Sequence, residues 1–413
     1  MARFSGTRIV AICFLGQNCG VGISYGTFGP LITTIQHEFG GTRGLASSGL
    51  SMLMVALAVL SPFIGAALQR WSIRAMMTTG AFLNLVGYLL LSRVTNTYEL
   101  LAVYGLFIGP GVAMLSIVPP VTLISRWFIQ GRGKALGIMN TPLFIMFMPL
   151  MASTILIHFG MSMVFLGNAA IFAVLTPLTY FMIIETPESV GQLPRGVNDE
   201  QSAEAVLTGP HLVTRQIVAR KEFWLLSLGA SLLTAVGIIM TVQLVPLLTS
   251  RGMELRAASG IMSFYGMILA IGAVAFGWLA DRRGSVTSFV MMSFTLVAPW
   301  VALVFVPVSV VAYVVLTSIA ALCHGAITTL HSGSANEIFG RKAFSRIMGL
   351  CYFVKLPFMA SAAPMAGYIY DFTGSYNAAL LVAAAMAFIA GLMFWTLNGV
   401  RFDGGKVAAV AAG

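Results

Sequence analysis

Twelve long apolar segments, separated by short polar turns, set the main limit on what this chain can fold into. Each is long enough to cross a membrane as a helix, which takes about 20 apolar residues. Charged residues are 9% of the chain, against about 25% in soluble proteins, so most of the outer surface must face lipid. We predict an all-α membrane protein with twelve transmembrane helices, here numbered span 1 to span 12, near residues 8–36, 44–69, 73–93, 98–125, 134–158, 162–184, 222–249, 256–280, 285–306, 308–337, 343–369 and 376–399.

The basic residues indicate how these spans are oriented. If both termini are cytoplasmic, nearly all of the 23 Lys and Arg lie on the cytoplasmic side, as the positive-inside rule expects. The exceptions are Arg43, Arg93, Arg251 and Arg256, which lie outside, and Lys355, which lies in the membrane. Topology thus explains the net charge of +10, and no nucleic-acid partner is expected. We expect a multi-pass protein of the bacterial inner (plasma) membrane that works as a monomer.

A polar segment at residues 185–221 divides the spans six and six, which predicts an N-terminal bundle at 1–184 and a C-terminal bundle at 222–413. The two halves share landmarks at one offset. Gly65 and Gly277 are 212 residues apart, and so are Gly137 and Gly349. We interpret this as an internal duplication, with the two bundles expected to enclose a central site.

Lys355 is the residue that most strongly suggests a binding site. It lies about 12 residues into span 11, roughly 18 Å deep and near the middle of the bilayer. A lysine that faces lipid at this depth costs about 2.5–3.5 kcal/mol, so Lys355 should face the protein interior. None of the 13 acidic residues is predicted mid-span, which favours an anionic substrate as its partner. The alternative is a structural partner within the protein.

Other polar residues in the spans are candidates for the same site. His324 and His331 are seven residues apart and therefore on one face of span 10, where they could line a cavity, carry a proton or simply be packed in the core. Metal binding would require a third ligand, which the sequence does not show. The further substrate-binding candidates are Gln17 and Asn18 on the polar side of span 1, Tyr25 in the same span, and Phe358 one turn from Lys355, which suits an apolar tail on the substrate.

The segment "GWLADRRG" resembles the cytoplasmic loop signature of the major facilitator superfamily, and Gln69 and Ser72 depart from it in the first-half copy. Within that superfamily, the segments "SYGTFGPLITTIQHEFGGTR", "RWFIQGRGKALGI" and "PMAGYIYDFTGSYNAAL" resemble the branch of monocarboxylate transporters and oxalate–formate exchangers. The resemblance implies a facilitator fold, an aromatic cavity residue at Tyr25, and gating loops with Asp281, Arg282, Arg283 and Arg70.

One position departs from that branch in a way that bears on the substrate. Its members usually carry a second basic residue in span 8, four positions before the glycine of "GWLAD", and Ala273 occupies that position here. A single fixed cation favours a monocarboxylate over a dicarboxylate.

We therefore predict a secondary active transporter of small organic monocarboxylates that works by alternating access, as a symporter or an anion exchanger, with protons as one possible coupling ion. The alternatives are an exporter of amphipathic compounds, as in drug efflux, and a non-transporting membrane sensor. We expect no enzyme activity, because the G-x-S-x-G match in "GISYG" lies inside a spanning helix rather than on a strand–turn–helix elbow. We also expect no cofactor and no metal.

Overall fold

The computed structural model describes residues 5–68, 70–128, 132–193, 195, 214–307, 309–340, 344–403 and 406–409. Within these residues, twelve helices are long and apolar enough to cross a membrane, so the predicted number of spans is confirmed. Spans 1 to 12 are Gly6–Phe39, Arg43–Ser61, Ile73–Leu91, Thr97–Trp127, Ala135–Phe159, Met161–Met182, Lys221–Ser250, Leu255–Arg283, Ser285–Phe305, Val310–Phe339, Arg346–Thr373 and Asn377–Leu397.

The weakest predicted boundary, between spans 9 and 10, is present in the structure. Span 9 ends at Phe305, and Ser309 begins span 10 as its N-cap, where the side chain accepts a hydrogen bond from the Ala312 amide. A capped helix start satisfies one of the backbone donors that a helix leaves free at its N-terminus. The long uncharged run at this point is therefore two helices.

Spans 1, 4 and 5 are not regular α-helices throughout. Span 1 contains a π-helical turn at Asn18–Gly22, and span 4 contains two, at Tyr104–Ile108 and Ala113–Ile117. Span 5 is interrupted between a first helix that ends at Met139 and a second that begins at Leu143. Pro142 accounts for part of the interruption, because proline disfavours a helical conformation in the residue before it.

The chain divides into two compact units, residues 1–198 with 254–263, and residues 199–253 with 264–413. In the first unit span 3 packs on span 6, and span 1 packs on span 5. In the second unit span 9 packs on span 12, and span 7 packs on span 11. These are equivalent pairs under an offset of six spans, so the helix pairing supports the internal duplication. The predicted bundle boundaries at 184 and 222 remain predictions.

Outside the spans, the described residues form short elements. A 3₁₀ turn lies at Pro187–Val190 and a short helix at Thr214–Val218, while residues 196–213 of the predicted linker lie outside the described residues. After span 12, strand Val400–Asp403 pairs antiparallel with strand Lys406–Ala409. This small hairpin was not predicted from the sequence.

Candidate functional site

Lys355 is buried, and its closest polar partner is a histidine. Only 3% of the residue is exposed, and Nζ lies 3.1 Å from Nδ1 of His331, which is itself fully buried. Nζ also lies 5.3 Å from the ring centre of Tyr352, within the range of a cation–π contact. Among the described residues, no acidic side chain lies within ion-pair distance of Lys355. The ammonium group is thus held by two neutral groups.

Span 11 is held against span 7 on both sides of Lys355, and this fixes where the lysine lies. On one side, Ser227 Oγ lies 3.0 Å from Cys351 Sγ. On the other side, Gln243 Nε2 donates to the Ala363 carbonyl at 2.8 Å, and Tyr376 donates its hydroxyl hydrogen to Gln243 Oε1 at 2.9 Å. A side chain between two such attachments has a defined position, which a binding group needs.

The contact between Lys355 and His331 determines which hydrogen-bonding groups remain available. A protonated lysine has only hydrogens to give, so Nδ1 of His331 must accept, and the neutral ring then carries its hydrogen on Nε2. That Nε2 is buried and has no partner among the described residues, and the same holds for Oγ of Ser334, three residues further along span 10. Buried polar atoms are normally hydrogen-bonded, so the cluster lacks acceptors. It is suited to bind an oxygen-rich anion.

His324 belongs to a second polar centre, separate from Lys355. Its Nδ1 lies 2.6 Å from the hydroxyl of Tyr265 in span 8, and its ring centre lies 6.2 Å from that of Trp300 in span 9. His324 and His331 are therefore on one face of span 10, as predicted, but contact different groups. Seven residues of helix separate the two centres by about 10.5 Å.

A close crossing of spans 8 and 10 brings Tyr265 to His324. A Cβ added to Gly272 would overlap the Leu322 carbonyl, and one added to Gly325 would overlap the Leu269 carbonyl. Glycine at both positions lets the two backbones approach until they touch. No pattern in the sequence marks Tyr265 or Trp300 as site residues, because their proximity to His324 depends on this crossing.

The span 1 candidates lie in the N-terminal unit and differ in what they contact. Asn18 Nδ2 donates to the carbonyls of Phe14 and Thr141, at 3.1 and 3.0 Å, and its Oδ1 accepts from the Phe144 amide at 3.0 Å. Because these bonds hold together the interrupted span 5, they favour a structural role for Asn18. Its role in substrate binding stays a prediction.

Gln17 and Tyr25 are both half-buried. Gln17 Oε1 is a buried atom without a partner among the described residues, and the Tyr25 hydroxyl lies 3.0 Å from Met54 Sδ. Thioether sulfur is a weak acceptor, so the Tyr25 hydroxyl can still bind a better one. Phe358, in the C-terminal unit, is half-buried one turn from Lys355.

The predicted gating residues are all exposed. Asp281, Arg282 and Arg283 end span 8, and the Arg282 guanidinium lies 3.8 Å above the Trp278 ring. Arg70 is exposed in the corresponding turn after span 2. Their gating role stays a prediction.

The departure at Ser72 from the loop signature has a structural explanation. Gly284 has a positive φ of 88°, which favours glycine, whereas Ser72 has an extended backbone and caps span 3 by accepting from the Ala75 amide. Span 9 thus begins after a glycine with a positive φ, whereas the equivalent span 3 begins with a serine that caps the helix. Among the described residues, no group of three or more His, Cys, Asp or Glu is placed to hold a metal ion.

The family model of the Major Facilitator Superfamily matches residues 14–354. The chain belongs to this superfamily. It is 24% identical over 360 residues to an uncharacterised MFS-type transporter of Bacillus subtilis, and the match covers 85% of each chain. It is also 26% identical over 378 residues to monocarboxylate transporter 13 of Bos taurus, covering 89% of this chain and 82% of that one. The predicted resemblance to monocarboxylate transporters is confirmed.

Solved structures of facilitators have the same fold. A bacterial homologue of the human lysosomal transporter Spinster aligns with a TM-score of 0.73 at 16% identity, over 98% of this chain and 100% of that one. A mutant of the nucleoside transporter NupG aligns with a TM-score of 0.74 at 14% identity, over 95% of this chain and 100% of that one. At such identities the likeness concerns the fold alone. The protein is thus a multi-pass membrane transporter of the facilitator fold.

Proposed function

We propose that this facilitator carries small organic monocarboxylates across the bacterial inner membrane by alternating access, and that Lys355 anchors the carboxylate. The observation that carries the proposal is the buried ammonium of Lys355, which has neutral partners only among the described residues: His331 at 3.1 Å and the Tyr352 ring. One of the relatives described above is a monocarboxylate transporter, which supports the same substrate class.

An anion is the ligand that this cluster lacks. One hydrogen of the ammonium points to His331, which leaves two others for a ligand. His331 Nε2 and the Ser334 hydroxyl add further polar groups without partners among the described residues. A carboxylate supplies several acceptor sites and the opposite charge, and charge-assisted hydrogen bonds are about twice as strong as neutral ones.

The surroundings favour one carboxylate with an apolar remainder. Lys355 is the cationic side chain of the cluster, and Ala273 of span 8 offers no second charge. Tyr352 and Phe358, on either side of Lys355 in span 11, present aromatic surface to a short hydrocarbon tail. A second carboxylate would have to leave water without a counter-charge, which is costly.

The coupling mode belongs to the same proposal. A proton on His331 would place two cations 3.1 Å apart while the site is empty. A bound carboxylate neutralises Lys355 and removes that repulsion, so the site can take up an anion and a proton together. Exchange of one anion for another is the second mode, and it requires no proton.

Three other predictions form part of the proposal: a monomeric carrier, contributions from Gln17, Tyr25 and His324 to substrate binding, and gating by the segments that contain Arg70 and Asp281. None of them is needed for Lys355 to bind a carboxylate. They can therefore fail without changing the proposed substrate class.

Uptake into liposomes tests the substrate class. The purified protein is reconstituted, and uptake of radiolabelled butyrate is compared with that of its uncharged analogue butyramide and its dicarboxylate analogue succinate, at two pH values. We expect butyrate to be carried well above the other two. Equal uptake of butyramide, or preference for an amphipathic cation, would rule out the proposed substrate class and favour an exporter of amphipathic compounds.

A further inference from the structure

The surroundings of the Lys355 ammonium are closed as well as uncharged. Lys355 is 3% exposed, and both His331 and Cys351 are 0% exposed. Nζ of Lys355 lies 3.1 Å from Nδ1 of His331 and 5.3 Å from the ring centre of Tyr352. A centre this enclosed offers little surface to a ligand with a hydrocarbon tail, so the carboxylate proposed above requires the centre to open. A much smaller ligand does not.

The polar pair one turn away is also uncharged. Cys351 precedes Lys355 by four residues, which places the two side chains on one face of span 11. Its Sγ lies 3.0 Å from Ser227 Oγ, so the thiol and the hydroxyl are each other's partners. Among the described residues, no carboxylate forms an ion pair with Lys355. A buried charge without a counter-charge is costly, and a bound anion removes that cost.

The free donors of the centre fit a single negative charge. The protonated ammonium gives one hydrogen to His331, and two remain. Ser334 follows His331 by three residues, the spacing of neighbouring side chains on a helix, and its Oγ has no partner among the described residues. A monatomic anion accepts hydrogen bonds from any direction and therefore needs no fixed arrangement of donors. One monovalent ion of this kind balances the one cation.

We propose that Lys355 holds a small monovalent inorganic anion such as chloride whenever no carboxylate is bound there. The inference rests on the proposed function in one respect: the ion and the carboxylate use the same ammonium, so each displaces the other. Chloride then regulates the carrier as a competitor. With a dissociation constant of about 10 mM for the ion, roughly 100 mM chloride lowers the apparent affinity for butyrate about elevenfold by mass action.

The line width of the chloride NMR signal tests the site on purified protein, because exchange with a bound state broadens the line. Sulfate replaces chloride in the buffer at matched ionic strength. We expect broadening with wild type and only background with Lys355→Met. Lys355→Arg keeps the charge and should retain part of the broadening. Lys221→Met is the matched control, because Lys221 is exposed, and it should behave like wild type. A thermal melt shows that each variant is folded.

Bromide locates the ion without any variant. Crystals of the wild-type protein grown without chloride are soaked in bromide, and the anomalous scattering of the ion gives its position. We expect a peak within hydrogen-bonding reach of Nζ of Lys355. If no peak lies there at saturating bromide, the proposal is overturned, even where Lys355→Met fails to fold.

Titration of butyrate into the chloride samples separates this inference from the proposed function. Broadening that requires Lys355 and disappears with butyrate supports both. Broadening that requires Lys355 but persists at saturating butyrate supports the ion site and contradicts a carboxylate at Lys355. If wild type broadens the line no more than Lys355→Met, while butyrate still binds wild type more tightly than this variant, the ion site is overturned and the proposed function stands.

Discussion

Replacing Lys355 by methionine removes the charge of the site and keeps a side chain of similar length. Truncating one partner of a buried charge pair costs about 2–5 kcal/mol of binding free energy. At 1.4 kcal/mol per factor of ten, this lowers affinity by roughly thirtyfold to several thousandfold. With Lys355 only 3% exposed, water cannot replace the lost partner, so a reduction of at least about tenfold is the minimum we expect.

The same substitution should leave the fold intact. It removes a buried charge that costs about 2.5–3.5 kcal/mol at mid-membrane on insertion scales. Against this gain, it leaves Nδ1 of His331 without its partner, at a cost of about 1–3 kcal/mol. The two terms nearly cancel, so Lys355→Met should melt within a few degrees of wild type.

Two measurements on purified protein separate these effects: calorimetric titration with butyrate and a thermal melt. Lys221→Met is the matched control, because Lys221 is exposed at the start of span 7, and this variant should bind like wild type. Lys355→Arg should recover part of the binding, limited by the bulk of the guanidinium group. Wild-type affinity in a Lys355→Met protein that melts normally would refute the role of Lys355 and place the site elsewhere.

Three further predictions concern His331 and the crossing of spans 8 and 10. His331→Asn keeps an acceptor near Nδ1 for Lys355 and should bind butyrate within about threefold of wild type. His331→Gln moves the amide toward the position of Nε2 and should bind butyrate about tenfold more weakly. Equal losses of affinity in the two variants would exclude the Nδ1 contact as the cause. If His331 also carries the proton, uptake should rise as pH falls in wild type and become independent of pH in both variants. Gly325→Ala should destabilise the protein by about 1–3 kcal/mol in a thermal melt, because its Cβ overlaps the Leu269 carbonyl. Gly349→Ala is the control and should not destabilise it, because no described atom lies within 4 Å of that Cβ. Equal melting temperatures of the two variants would contradict the close crossing.

The fold was predictable from the sequence because the bilayer limits it so strongly. Apolar length alone located the twelve spans, and even the uncharged run around Pro307 was divided correctly into spans 9 and 10. The burial of Lys355 was predictable for the same reason, since a cation at that depth must turn away from lipid. Helix periodicity likewise placed His324 and His331 on one face of span 10.

The partners of these residues were not predictable. Tyr265 is 59 residues from His324 along the chain, and the close backbone crossing that brings them together depends on two glycines among 43. The contacts of Asn18 were not predictable either. Its hydrogen bonds to Thr141 and Phe144 lie at the interruption of span 5, which the hydropathy pattern of the sequence does not reveal, and its role in substrate binding stays a prediction.

A neutral partner for Lys355 has a consequence for transport. A carboxylate of the protein itself would hold the ammonium more strongly than His331 does. A substrate would then have to displace that carboxylate, and the free energy lost would be close to the free energy gained from the new ion pair. Nδ1 of His331 instead uses one hydrogen, orients the ammonium and leaves its charge uncompensated. In the proposed mechanism, the empty site therefore favours an anion, and the loaded site is close to neutral. A carrier must release its load as well as bind it, and a single ammonium that contacts one carboxylate is better suited to both steps than a pair of fixed cations would be.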